Sequence, residues 1–218
     1  MAKRNEHDFA VIGLGRFGAN VAQRLEEMGH SVLGIEEDPQ IAKELESKIT
    51  EIFVLDATNP DALSEADITS FKTVVVAISE DFETSALVTS TLKSMGIENI
   101  ICLAGSSRHK EILLRIGANR VVIPAKESGI QLADELSTPG MLNSLALSQD
   151  YSLIEIQTPR GMLGKNVRDC AKYEVSLLLL VRGDELILSP DGDTPLLPGD
   201  ILVAVGDKKH LTEFSALT

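Results

Sequence analysis

Near its start the chain runs from Phe9-Ala10-Val11-Ile12 straight into Gly13-Leu14-Gly15-Arg16-Phe17-Gly18. An apolar run that breaks into Gly-x-Gly-x-x-Gly predicts a buried strand turning sharply into a helix, with an anion site at the joint. Gly13 supplies the positive φ of a tight turn, the missing Cβ of Gly15 lets a pyrophosphate approach the main chain, and Gly18 lets the helix lie against the sheet. The helix N-terminus then offers unpaired N–H groups and the positive end of its dipole. Glu36 closes the next apolar run, Val32-Leu33-Gly34-Ile35. At that distance a carboxylate accepts from both ribose hydroxyls and repels a 2′-phosphate. The plainer alternative is a strand-end carboxylate, as for Glu37 and Asp38.

The pattern around this motif alternates short β-branched runs with amphipathic segments. Val21, Ala22, Leu25 and Met28 recur at helical spacing, and Gly29-His30 stops that helix. Strands are predicted at Ser31–Ile35, Ile52–Leu55, Val74–Ile78, Ile100–Leu103 and Arg120–Ile123, with helices starting near Pro39, Asp61, Glu83 and His109. The unbroken apolar run Val74-Val75-Val76-Ala77-Ile78 marks a strand covered on both faces, as in a parallel sheet between helix layers. Six strands and five helices make an α/β, Rossmann-type doubly wound parallel sheet the economical fold.

Past Pro124 the spacing changes. Ile130, Leu132, Ala133 and Leu136 predict one helix, Ser137-Thr138-Pro139-Gly140 breaks it, and Met141, Leu142, Leu145, Ala146 and Leu147 predict a second. Such a helix–turn–helix is either a hairpin capping its own sheet or an arm packing on another subunit. Apolar residues on more than one face of each segment favour the partner. Beyond Ser148-Gln149-Asp150 come alternating, strand-like runs that predict a small α+β domain, too small for the usual substrate domain of a dehydrogenase. The expected division is therefore 1–126, 127–148 and 149–218.

A formal net charge of -13 argues against nucleic acid, which needs a basic face. No apolar run approaches the roughly 20 residues that span a bilayer, so direct membrane insertion is not expected. Residues 1–8 are a polar lead-in without the apolar core of a signal peptide. Cys102 and Cys170 lack paired spacing and read as free thiols in a reducing cytoplasm. His7, His30, His109 and His210 are scattered, with no metal-site spacing. No catalytic motif or acid–base constellation is present, so no catalytic residue is assigned.

Several blocks in order carry a family resemblance: residues 9–18, Met28-Gly29-His30, Asp56-Ala57-Thr58, Val75-Val76-Ala77-Ile78, Ile116-Gly117-Ala118, Leu163-Gly164-Lys165 and Pro198-Gly199-Asp200-Ile201-Leu202-Val203. They resemble the RCK (regulating conductance of potassium) proteins, also called KTN or TrkA-N/TrkA-C, and most the cytoplasmic regulatory subunit of Ktr-type potassium uptake systems. The resemblance implies a regulator, not an enzyme. It implies homodimers assembling into an octameric ring, peripheral on the inner face of the cell membrane beneath a membrane-embedded potassium transporter subunit. ATP or ADP would change the ring's shape and so the gate.

The implied nucleotide-binding set is Gly13, Gly15, Arg16, Phe17, Gly18, Glu36, Asp56, Ala57, Thr58, Ile78 and Glu80. Arg16 would meet the terminal phosphates, and Asp56-Ala57 would lie beside the adenosine. The plainer readings stay open: a solvated charge for Arg16, a turn cap for Asp56, and helix caps for Glu80 and Asp81. The stretch 127–147 corresponds to an arm exchanged between protomers. Relatives often place a glutamate after the proline ending the sixth strand, where it helps hold a divalent cation; here that residue is Ala125, so no such metal site is predicted. Leu103 stands where many members have a lysine, and Cys170 where cyclic di-AMP-binding members often have an arginine, which leaves that ligand a minor alternative. NAD(H) remains an alternative ligand, and a soluble NAD(H)-dependent oxidoreductase the alternative function.

Overall fold

A computed structural model describes residues 8–217. The chain divides into two units, Met1–Ala125 and Lys126–Thr218. In the first, strands β1 (Phe9–Ile12), β2 (Val32–Glu36), β3 (Glu51–Val54), β4 (Thr73–Val76), β5 (Asn99–Leu103) and β6 (Arg120–Val122) form one sheet. Helices α1 (Arg16–Glu27), α2 (Pro39–Leu45), α3 (Pro60–Glu65), α4 (Phe82–Ser94) and α5 (Ser107–Ile116) lie between them. The order is β3-β2-β1-β4-β5-β6, and every pairing is parallel. This is the doubly wound sheet expected from the sequence.

Side-chain alternation divides the apolar runs between two cores. Ala10, Ile12, Leu33, Ile35, Val74 and Val76 enter one cluster, while Val11, Val32 and Val75 enter the other. Burial on both faces is why these strands are continuously apolar. The order reverses between β1 and β4, which makes the carboxyl ends of these strands the switch point where open α/β sheets bind ligands.

The second unit is an antiparallel sheet, ordered β10-β9-β11-β8-β7, of β7 (Met141–Ala146), β8 (Tyr151–Gln157), β9 (Ser176–Arg182), β10 (Glu185–Leu188) and β11 (Ile201–Asp207). Helix α7 (Lys208–Ser215) contributes Leu211 and Phe214 to a core with Ile154, Ile156, Met162, Leu180 and Leu202. Cys102 and Cys170 are buried free thiols. Burial holds both above the usual thiol range, Cys170 at about 11, with help from the nearby Asp169 charge.

The stretch 127–148 departs from expectation. Its first half lies in helix α6 (Pro124–Ser137), but its second half is strand β7 rather than a helix. Thr138-Pro139-Gly140 turns the chain, with Gly140 at φ +74°. An isolated helix of about seven residues is marginal. The β8 edge instead takes the backbone of this segment into a ladder, with Leu145 opposite Leu153 and Ser144 opposite Ile154. By its contacts the stretch clusters with the second unit, to whose sheet it is joined through β7.

One ion pair pins the turn before β11. Asp200 is 1% exposed. Arg182 donates to it from Nε (2.8 Å) and Nη2 (2.7 Å), and Leu197 donates its backbone N–H to Oδ2 at 2.8 Å. The bonds from Arg182 hold the Asp200 carboxyl below the usual carboxylate range. The folded pKa is thus depressed, so the contribution to stability is full above the ordinary value near 3.9 and is lost as pH falls through the folded value. We expect Asp200→Asn to lower stability by about 2 kcal/mol in urea unfolding at neutral pH, because it removes a charge and leaves Arg182 unpaired. The difference from the parent should shrink as pH falls below 4.

Candidate nucleotide-binding site

The glycine turn does what its spacing predicts. Gly13 sits at φ +86°, and a Cβ there would lie 3.1 Å from Ile78 Cγ1. A Cβ on Gly18 would fall 1.9 Å from the Gly13 carbonyl oxygen, so only glycine lets α1 start this close to the turn. A Cβ on Gly15 would meet nothing within 4 Å. Gly15 faces open space, which is what an approaching ligand needs.

Helix α1 also differs from its neighbours at the N-terminus. Side chains cap α2 (Asp38), α3 (Asn59), α4 (Asp81) and α5 (Ser106), each accepting from the first turn. The N-cap of α1 is Gly15, with no side-chain bond and no acid in the first turn. The first N–H groups of α1 are therefore left without a side-chain acceptor, at the positive end of the helix dipole.

A cleft of 680 Å³ opens there, across the carboxyl ends of the strands. It brings together Gly13, Gly15, Arg16, Phe17, Glu36, Asp56, Ala57, Ile78 and Glu80 of the sequence-derived set. Two of that set lie elsewhere. Gly18 is buried in the helix–turn contact, and Thr58 supports Asp56 from behind.

Glu36 braces the loop: its Oε2 accepts the Leu14 backbone N–H at 2.6 Å, and Oε1 accepts from Glu37 and Asp38 at 2.9 and 3.1 Å. Four lone-pair directions on a carboxylate leave capacity for a sugar hydroxyl beyond these three bonds. Asp56 Oδ1 accepts from the Thr58 hydroxyl (2.7 Å) and backbone N–H (2.8 Å), and these bonds hold its pKa below the usual range. Asn59, not Asp56, caps α3. Asp81 both caps α4 and lines the cleft; Glu80 lines it without capping.

The sequence-derived set left out the far half of the cleft: Leu103 and Ala125, noted only as departures from relatives, line it with Ala104, Gly105 and Pro124 beyond Ile78. The available signal was position, since these residues lie at or just beyond the carboxyl ends of β5 and β6, the ligand-binding edge. Among the described residues the lining carries five carboxylates, Glu36, Glu37, Asp56, Glu80 and Asp81, against the single guanidinium of Arg16. The charge that could attract an anion is therefore at the α1 end. His30, His109 and His210 lie apart, beside Asp8, Phe82 and Glu174 respectively, and His7 is outside the described residues. Among the described residues no group of three or more His, Cys, Asp or Glu is placed to hold a metal ion, and no helix is long and apolar enough to cross a membrane.

Two family models match the chain, the TrkA-N domain over residues 9–124 and the TrkA-C domain over residues 152–218, on either side of α6 and β7. The chain belongs to the RCK family. It is 34% identical over 217 residues to Ktr system potassium uptake protein A of Bacillus subtilis (strain 168), covering 98% of both chains. Its fold resembles the GsuK channel bound to NAD (TM-score 0.69, 17% identity, all of this chain and 40% of that one). It also resembles GsuK bound to ADP (TM-score 0.53, 18% identity, 63% of this chain and 35% of that one). The RCK chain thus spans less than half the length of those two channel structures.

Two substitutions test this site. Gly15→Asp places its side chain in open space, so the protein should fold, as circular dichroism and thermal melting would show. Its carboxylate faces the phosphate position, and ADP affinity should fall roughly a hundredfold in calorimetric titration. Arg16→Ala should weaken ADP about tenfold through loss of one charge-assisted contact, without changing the melting temperature.

Proposed function

We propose that this chain is the nucleotide-sensing regulatory subunit of a membrane potassium transporter. The observation that carries the reading is the uncapped start of α1, open to the cleft beside Arg16 and opposite Glu36. Phosphates would lie against the α1 amides, the ribose against Glu36, and the adenosine beside Asp56 and Ala57. Among the described residues, the lining has no histidine, cysteine, lysine or tyrosine. Exposed carboxylates are then the main candidates for proton transfer, which favours binding over turnover. A relative that matches over nearly its whole length is a potassium uptake protein, which supports the partner class.

ATP and ADP differ by one charged phosphate at the Arg16 end. A ligand moves a conformational equilibrium only through its different affinities for the two states. That phosphate is the difference available to the switch. Helix α6 has no buried residue, and Ile130, Leu132 and Leu136 are 53%, 55% and 80% exposed. So much uncovered apolar surface on one helix fits a contact with a second copy and an oligomeric ring. In that assembly the chain would sit in the cytoplasm, peripheral to the membrane through its transporter. Ala125 lines the cleft without a side-chain oxygen, and no divalent cation is assigned there.

A second reading concerns the ligand alone. The far half of the cleft, Ile78, Leu103, Ala104, Pro124 and Ala125, is apolar and without a cation. That surface suits the second nucleoside of NAD(H) better than added phosphate.

Titrating the purified protein with ATP, ADP and NADH while following particle size by light scattering tests both readings. The regulatory reading expects an octamer-sized particle whose dimensions differ between ATP and ADP. A dimer indifferent to adenine mononucleotides, turning over a nicotinamide substrate, would overturn it.

A further inference from the structure

The second unit contains a cavity of its own. It measures 100 Å³ and lies among the end of α6, β7, β8 and α7. At about 30 Å³ per molecule of liquid water, that is room for a ligand displacing some three waters. Its lining sorts into a polar floor, an apolar wall and a charged rim. Thr138 and Ser152 are buried, at 8% and 7% exposed, and Ser144 is half-buried beside them. Ile154 and Leu211, each 3% exposed, form the apolar wall. Asp134 and Lys208 are exposed, at the rim.

Accounting for the polar atoms shows what is left over. The Ser137 hydroxyl is spent on the Asp134 carbonyl at 3.0 Å, and the Thr212 hydroxyl on the Lys208 carbonyl at 2.9 Å. Among the described residues the hydroxyls of Thr138, Ser144 and Ser152 have no protein partner. Their oxygens stay accessible, since among the described residues Ser85 Oγ alone is a fully enclosed side-chain oxygen without a partner, so these hydroxyls are free to bond whatever occupies the cavity. Lys208 uses one of its three donors on the Gln149 carbonyl at 2.7 Å, leaving two.

The rim charges are separate from one another as well. Among the described residues no ion pair joins Asp134 to Lys208. Asp134 lies in the last turn of α6, which contains no basic residue. A carboxylate there faces the negative end of the helix dipole, an arrangement that a cation beside it would relieve. The cavity therefore offers an unpaired carboxylate, a partly free ammonium and hydroxyls able to donate or accept, within a volume of a few heavy atoms.

We propose that this cavity is a binding site for a small zwitterion, a free amino acid between glycine and proline in size. Its ammonium would meet Asp134 and its carboxylate Lys208 and the hydroxyl floor, while Ile154 and Leu211 take the carbon skeleton. The site lies wholly in the second unit and shares no residue with the nucleotide cleft. It would give the subunit a second small-molecule input.

The test is calorimetric titration of the full chain with glycine, L-alanine and L-proline. Acetate and methylammonium, the two half-ligands, and glycerol serve as comparisons at constant ionic strength. Saturable binding of at least one amino acid, about tenfold tighter than either half-ligand, is expected from two simultaneous charge-assisted contacts. Ser152→Ala and Asp134→Asn should each weaken that binding about tenfold while leaving ADP affinity unchanged. Asp134 is exposed, so its variant keeps the test valid if Ser152→Ala misfolds. Absence of saturation with all three amino acids, equal binding of acetate, or unchanged affinity in both variants would overturn the proposal and leave a water-filled gap.

Discussion

The approach of α1 to the turn at Gly13 is the contact on which the rest of the first unit depends. A single methyl group at Gly18 would collide with the Gly13 carbonyl. Removing that atom lets the helix begin immediately beyond β1, with its first amides over the sheet edge. The same closeness explains why Leu14 can donate to Glu36, a residue 22 positions later. Loop, helix start and acidic residue are thus one mechanical unit. The loop conformation is fixed by contacts within the chain itself, so a nucleotide bound there as proposed would meet little ordering cost.

The two units solve their stability differently. The first buries aliphatic strands between helices and spends its polar groups on caps. The second is built on an antiparallel sheet with one well-covered face, and it uses a buried ion pair to fix the turn into β11. Such a pair contributes modest net stability but strongly disfavours any arrangement that separates Arg182 from Asp200. That property suits a small domain whose strand register must hold while its outer faces, including Leu186 and Leu188 on β10, stay open to contact.

The parallel sheet was legible because its strands are apolar on both faces, a pattern that few alternatives share. The glycine site was legible because each glycine answers a separate steric demand. Strand β7 was not. Met141, Leu142, Leu145 and Ala146 satisfy a helical spacing as well as an edge strand, and only the partner strand β8, remote from local propensity, decides between them. Asp56 and Asp81 show a similar ambiguity at the level of one side chain. Both could cap a turn or face a ligand, and in the structure each accepts a nearby backbone N–H and also lines the cleft. The far half of the cleft left little trace in sequence because Leu103, Ala104 and Pro124 serve by shape alone.

The charge around the cleft constrains how any discrimination among nucleotides arises. With five carboxylates and one guanidinium in the lining, each added phosphate meets attraction only at the start of α1 and repulsion elsewhere. On the proposed reading, a third phosphate that reaches Arg16 and the free amides would be stabilised, and one lying instead beside Glu80 and Asp81 would be repelled. The loop would then respond to phosphate number without a large motion. Two states of the subunit that held the α1 terminus at different distances from the acidic residues after β4 would suffice.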